Sequence, residues 1–177
     1  MNKQHLRRPL VATAALVVAG VMAFALLPAG PSAATPAAGP DREAVNHLRS
    51  LTHQYHNVDR AIADGYQADT VCTEDMGIHY INFQLLSQPI DPHRPAVLMY
   101  APTGNGGVRL TGVEWIKFDA DQDLSTSGDR PSVWGHAFDG PMPGHFPGMP
   151  VHYDLHAYVW DPNPAGPFAT WNEHIDC

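Results

Sequence analysis

The feature that most constrains the fold is the stretch 140–160, GPMPGHFPGMPVHYDLHAYVW, where a Pro- and Gly-rich segment runs directly into an alternating one. Four prolines within 141–150 fix φ at four points and lower the entropy of the unfolded chain. From residue 151 onward apolar and polar residues alternate, which predicts a β-strand over 151–160. His152, Asp154 and His156 lie at i, i+2 and i+4, so they leave the same face of that strand.

The two faces of this strand differ in kind. Tyr153, Leu155 and their apolar neighbours predict a core-facing side. The opposite side carries two His, one Asp, Tyr158 and Trp160, which is unusual for a plain solvent face and favours a lined cleft. The alternative is a surface strand whose His residues hydrogen-bond to their neighbours. Imidazole and carboxylate are ordinary ligands of transition metals, so the cleft interpretation predicts a metal site.

Other segments offer further ligands. Glu114 lies among apolar residues in a strand predicted over 108–118, and a lone buried carboxylate costs several kcal/mol unless it is paired or bound to a cation. Glu114 is therefore a candidate ligand, a partner that orients a ligand His, or one half of an ion pair with Arg94 or Arg109. His79, in a strand predicted over 78–83, is a candidate third imidazole, with a purely structural His as the alternative.

The stiff Pro-rich segment supplies a last set of donors. His145 lies at its centre and would close the site over His79, His152 and His156. Glu114 or Asp154 would be a fourth ligand, or would hydrogen-bond to a ligand imidazole and orient it. Met142 and Met149 are near His145 in sequence, and thioether with imidazole suits copper. The sequence therefore favours copper slightly over zinc as the bound metal. The alternative is a loop that only covers the edge of the core.

The rest of the chain predicts an α+β fold, with an N-terminal helix packed on a small antiparallel sheet and long Pro/Gly-rich loops. Apolar residues spaced three and four apart predict one amphipathic helix over 41–63, begun by Asp41 and ended by Gly65. Further strands are predicted over 96–101 and 133–138, and TGNGG at 103–107 predicts a hairpin between 96–101 and 108–118. The tail from residue 161 predicts coil that returns to Cys177.

The N-terminus predicts export. Residues 1–34 have a basic start, an apolar run and small residues before position 35, as in a cleaved signal peptide; an uncleaved anchor is the alternative. Residues 35–40 are interpreted as a linker and 41–177 as one globular domain. Removing the three cations of 1–34 changes the formal charge from −8 to −11. Such an acidic chain argues against nucleic acid and anionic membrane surfaces as partners.

Two cysteines, Cys72 and Cys177, predict a disulfide in an oxidising compartment. The alternative is a site in which both thiolates bind a metal. A link between them would close a loop of about 105 residues, which on the chain-entropy model is worth about 4–5 kcal/mol.

Several motifs together resemble a family of exported bacterial proteins of unassigned function. They are MGIHY at 76–80, GPMPGHFPGMP at 140–150, HYDLH at 152–156 and the terminal Cys177. The resemblance covers most of 41–177 and implies export, but it implies no activity and no ligand set. The sequence thus predicts an exported protein that binds copper or zinc. The alternatives are a metal-dependent enzyme, hydrolytic or copper redox, and a disulfide-linked binding module without metal.

Overall fold

The computed structural model describes residues 39–177. The predicted signal peptide over 1–34 lies outside the described residues, as does most of the predicted linker. The last two linker residues, Gly39 and Pro40, form the first turn of a helix. Within the described part of the chain, no helix combines the length and the apolar character needed to cross a membrane.

The predicted α+β fold is confirmed: two helices and a 3₁₀ turn precede the strands, and a six-stranded sheet forms the body. The helices are α1 (Gly39–Thr52), α2 (Val58–Ala63) and the short α3 (Phe83–Leu86), with a 3₁₀ turn at His53–His56. The strands are β1 (Gln67–Thr73), β2 (Gly77–Ile81), β3 (Val97–Pro102), β4 (Val108–Phe118), β5 (Ser132–Val133), β6 (His136–Ala137), β7 (Asp139–Met142) and β8 (His152–Ala157).

The main sheet is antiparallel throughout, in the order β1-β2-β3-β4-β8-β7, while β5 and β6 form a separate pair. Strands β1 to β4 form a meander, and β8 then pairs with β4 in a register that sets Glu114 opposite His156. Both β4 and β8 are therefore interior strands of the sheet, with a paired strand on each side. Both faces of β8 are buried, which leaves its polar residues enclosed.

The helical segment predicted over 41–63 is interrupted. Asn57 adopts an extended conformation, and its side chain accepts a hydrogen bond from the Asp59 amide, so it caps a new helix instead of continuing the old one. The two parts still bury one apolar stripe against the sheet, through Val45 and Leu48 in α1 and Ala61 in α2.

The principal core lies between these helices and one face of the sheet. Leu98, Val113, Trp115, Tyr153 and Leu155 meet the helices there. Side-chain hydrogen bonds cross the same interface: the Tyr100 hydroxyl donates to the Tyr55 carbonyl at 2.6 Å, and the Trp160 indole donates to the Thr52 hydroxyl at 3.1 Å. Trp160 therefore lies on the helix side, and the predicted alternation of 151–160 ends with β8 at Ala157.

The C-terminal tail is coil, as predicted, and it is fixed to the opposite side of the sheet. Cys72 and Cys177 form the predicted disulfide, with an S–S distance of 2.03 Å. Asp75 donates its amide to the Ile175 carbonyl at 3.0 Å, and the side chain of Ile175 is fully buried beside Met99 and Tyr158. The tail thus covers one end of the face that does not contact the helices, and it leaves the other end for the site described next.

Candidate metal centre

The candidate site lies on the sheet face opposite the helices. All six residues that the sequence nominates are there, but they form two groups of three and do not converge on one point. We call His79, Glu114 and His156 the first triad, and His145, His152 and Asp154 the second triad. Within each triad, one ligand atom per residue lies within 4.8 Å of the others.

The first triad is assembled by strand register. Glu114 on β4 is directly opposite His156 on β8, and His79 reaches them from β2 across the intervening strand β3. His79 Nε2 lies 3.4 Å from Glu114 Oε2, and His156 Nε2 lies 3.8 Å from Glu114 Oε1. The carboxylate therefore presents one oxygen to each imidazole.

This triad is buried, with Glu114 2% and His156 1% exposed. Glu114 Oε2 and His156 Nδ1 have no hydrogen-bond partner among residues 39–177. Each such buried polar atom costs about 1–3 kcal/mol, so a protein rarely leaves two of them together without a reason. The alternative of an ion pair between Glu114 and Arg94 or Arg109 does not occur: Arg109 pairs with Asp161, and the carboxylate oxygens of Glu114 lie nearest to His79 and His156.

The second triad combines a strand and a loop. His152 and Asp154 are buried on β8, whereas His145 is exposed on the segment that follows β7. His152 Nε2 lies 3.8 Å from Asp154 Oδ2, and the His145 and His152 rings are 4.7 Å apart between centroids. The triads are adjacent, since Asp154 Oδ1 is also 3.8 Å from His156 Nδ1.

Burial sets the protonation of these groups. It lowers the pKa of His79 to about 4 and, with help from neighbouring imidazoles, that of His156 to about 3. Burial, then the charge of Asp154, raises the pKa of Glu114 well above its ordinary value, and burial with Asp139 raises that of Asp154 to about 7. Neutral imidazoles are the form that binds metals, and a cation would reverse the penalty on the carboxylates.

A cleft of about 970 Å³ opens onto both triads. His79 and Glu114 border it from the first triad, and His145 and Asp154 from the second. Its walls are mainly apolar, and four large hydrophobic side chains at its edge are about half exposed. These four are Val71, Phe83, Phe146 and Trp171. Of the β8 face that the alternation predicts to line a cleft, only Asp154 borders this one, whereas His152, His156, Tyr158 and Trp160 do not.

Two parts of this cleft give little signal in the sequence. Strand β1 forms one wall, yet most of its residues are exposed and show no apolar alternation. Strand β7 occupies the start of the segment interpreted as a loop, although it contains Gly140 and Pro141. Proline is tolerated on an edge strand because its missing N–H faces away from the ladder, and the position of β7 at the sheet edge fits this rule.

The methionines of the Pro-rich segment occupy the cleft wall. Met149 Sδ accepts a hydrogen bond of 3.4 Å from the His145 amide, so this thioether stabilises the loop itself.

Comparison with protein-family models, curated proteins and solved structures finds no match.

Proposed function

We propose that this chain is an exported protein that binds a divalent transition metal through His79, Glu114 and His156. The observation that carries the proposal is the first triad itself: two imidazoles with lowered pKa values face a buried carboxylate at 3.4 and 3.8 Å, and Glu114 Oε2 has no hydrogen-bond partner among the described residues. A cation between these atoms would satisfy the carboxylate and use the neutral imidazoles.

Asp154 has a supporting role in this proposal. Metal-binding His residues almost always donate their second ring N–H to a carboxylate or carbonyl, which fixes the tautomer and the ring orientation. His156 presents Nε2 to Glu114 and Nδ1 to Asp154, both at 3.8 Å. With Nδ1 protonated toward Asp154, the lone pair on Nε2 is directed into the first triad.

The donor set favours zinc or copper(II) over copper(I). Two nitrogens and one oxygen suit both divalent ions, whereas copper(I) prefers thiolate or thioether. Cys72 and Cys177 are consumed in the disulfide, and the Met149 thioether accepts a hydrogen bond within its own loop. The disulfide is also what supports export, because such bonds persist in oxidising compartments; the resemblance to exported bacterial proteins agrees.

The test is metal content. Untagged protein is loaded with zinc or copper, dialysed, and measured by mass spectrometry beside Glu114→Gln and the exposed control Glu43→Gln. We expect at least one bound ion per chain in the wild type and in Glu43→Gln, and one ion fewer in Glu114→Gln. Metal-free wild type after loading, or equal binding by Glu114→Gln, would contradict the proposal.

A second candidate function is a metal-dependent hydrolase, and the open cleft favours it. Three protein ligands leave a fourth position free, as in catalytic zinc sites, where the metal supplies hydrolytic chemistry by lowering the pKa of bound water. His79 and Glu114 both border the cleft, so a substrate has access to that position. Zinc-dependent cleavage of an uncharged ester, lost in Glu114→Gln and retained in Glu43→Gln, is the expected result. A fourth protein ligand in the metal-loaded structure would argue for binding alone.

A further inference from the structure

The second triad has donors that the first triad does not use. His152 is fully buried, and its Nδ1 lies 3.3 Å from the Pro150 carbonyl, which can only accept a hydrogen bond. That contact assigns the proton of the neutral ring to Nδ1, so Nε2 carries a lone pair. The lone pair faces Asp154 Oδ2 at 3.8 Å.

Two acceptors facing each other in a buried place repel unless a proton or a cation lies between them. His152 Nε2, the imidazole half of this pair, lacks a hydrogen-bond partner within residues 39–177. His145 adds a second imidazole from the far side, with its ring 4.7 Å from that of His152. Two imidazoles and one carboxylate, with ligand atoms within 4.8 Å, form a complete three-ligand set of their own.

Asp154 connects this set to the first triad because one of its carboxylate oxygens faces each triad. Its Oδ1 lies 3.8 Å from His156 Nδ1, and its Oδ2 lies 3.8 Å from His152 Nε2. One oxygen can therefore orient His156 while the other binds a cation beside His152. Two centres joined by one carboxylate are compatible with two ions at once.

We propose that His145, His152 and Asp154 form a second site for a divalent transition metal, so that the protein binds two ions. The inference deepens the proposed function and rests on it for the occupancy of the first triad. Its consequence is mechanical: His145 is carried by the Pro-rich segment 143–150, and the other two ligands by β8. An ion in the second triad would tie this segment to the sheet and set the shape of the cleft wall that contains Phe146 and Met149.

The experiment counts ions. Untagged full-length protein is equilibrated with buffered zinc, and bound zinc is measured for the wild type, His145→Ala, His79→Ala and the double variant. We expect two, one, one and no ions. His145 is exposed, so its replacement leaves the fold intact, and circular dichroism checks this. Variant His47→Ala is the control, because it disrupts the exposed His47–His93 pair, whose ring nitrogens are 2.8 Å apart; it should retain two ions.

A second readout follows the loop. Zinc should slow proteolytic cleavage within 143–150 at least tenfold in the wild type and in His79→Ala, but not in His145→Ala. One ion in the wild type, lost with His79→Ala and retained with His145→Ala, would overturn the second site and leave the proposed function standing. Loss of an ion in His47→Ala would also overturn it, since the second ion would then lie on the surface pair. Wild type without zinc would remove both proposals.

Discussion

Replacing Glu114 by Gln separates two effects of the buried carboxylate: its effect on the stability of the apoprotein and its contribution to metal binding. Glu114 is 2% exposed and has two imidazoles as nearest polar neighbours, which burial keeps neutral, so the apoprotein offers its carboxylate no counter-charge. Its pKa is raised well above the ordinary 4.5. The unfolded chain gives up this proton near pH 4.5, whereas the folded chain holds it to higher pH. The free energy of unfolding of the apoprotein is therefore lower at pH 7 than it would be without this carboxyl.

The magnitude follows from linkage. Each pH unit by which the folded pKa exceeds the unfolded one lowers the stability of the apoprotein by about 1.4 kcal/mol once the pH is above both values. The sign is that of a raised carboxyl pKa: the penalty is absent below the unfolded value and grows as pH rises. Gln cannot ionise, and its amide has nearly the same shape as a protonated carboxyl. Because the pKa of Glu114 is raised well above its ordinary value, Glu114→Gln should stabilise the apoprotein by more than about 1 kcal/mol at pH 7 and by less than about 0.5 kcal/mol at pH 4.5.

Metal should shift the difference in stability toward the wild type. At zinc one hundred times above the dissociation constant, binding stabilises the wild type by about 2.7 kcal/mol, and Glu114→Gln should gain less than half of this. Urea unfolding of the apo and zinc-loaded forms at both pH values measures all of these terms, with Glu43→Gln as the exposed control. A metal-free Glu114→Gln protein that is less stable than the wild type by more than about 1 kcal/mol at pH 7 would refute the reasoning, because the carboxylate would then be held in its charged form by a favourable ion pair.

Three further predictions concern the disulfide, the sheet and the protons. Replacing Cys72 and Cys177 together by Ser removes a link across 105 residues, and we expect a loss of about 4–5 kcal/mol in urea unfolding; a loss below 1 kcal/mol would contradict it. Gly112→Ala places a Cβ 2.5 Å from the Ala157 carbonyl oxygen, so it should cost about 1–3 kcal/mol, whereas Gly104→Ala, with open space around it, should cost under 1 kcal/mol; equal costs would show that β4 and β8 are not so close. Because the pKa of Asp154 is about 7, metal binding should release protons at pH 6 and fewer at pH 9, as calorimetry in buffers of different ionisation enthalpy would detect; release that does not decline with pH would contradict it.

Much of the fold could be predicted because its patterns are local. The hairpin of β3 and β4 is signalled by a Gly-rich turn between two apolar runs, and β4 has the predicted bounds 108–118. The break at Asn57 was missed because the apolar stripe continues through it, although Asn two residues before Asp59 is a capping signal. Strands β1 and β7 were missed because edge strands are held mainly by backbone pairing, which leaves little trace in side-chain order.

The site was predictable in its members and not in its arrangement. Alternation alone puts His152, Asp154 and His156 on one face, and the cost of a buried carboxylate nominates Glu114. Which of these residues meet depends on the pairing of β8 with β4, and sequence spacing does not contain that register. The bulge in the β3–β4 pairing, between Met99 and Tyr100, also turns Leu110 to the helix side while Glu114 faces the site. The single cluster of three imidazoles expected from the sequence is therefore two triads.

The proposed metal ion would lie between His79, Glu114 and His156. The most direct test is anomalous diffraction at the zinc edge from crystals of untagged, zinc-loaded protein. We expect an anomalous peak about 2.0–2.2 Å from His79 Nε2, His156 Nε2 and a Glu114 oxygen. Zinc found only at surface residues such as His47 and His93, with the first triad unchanged, would contradict it.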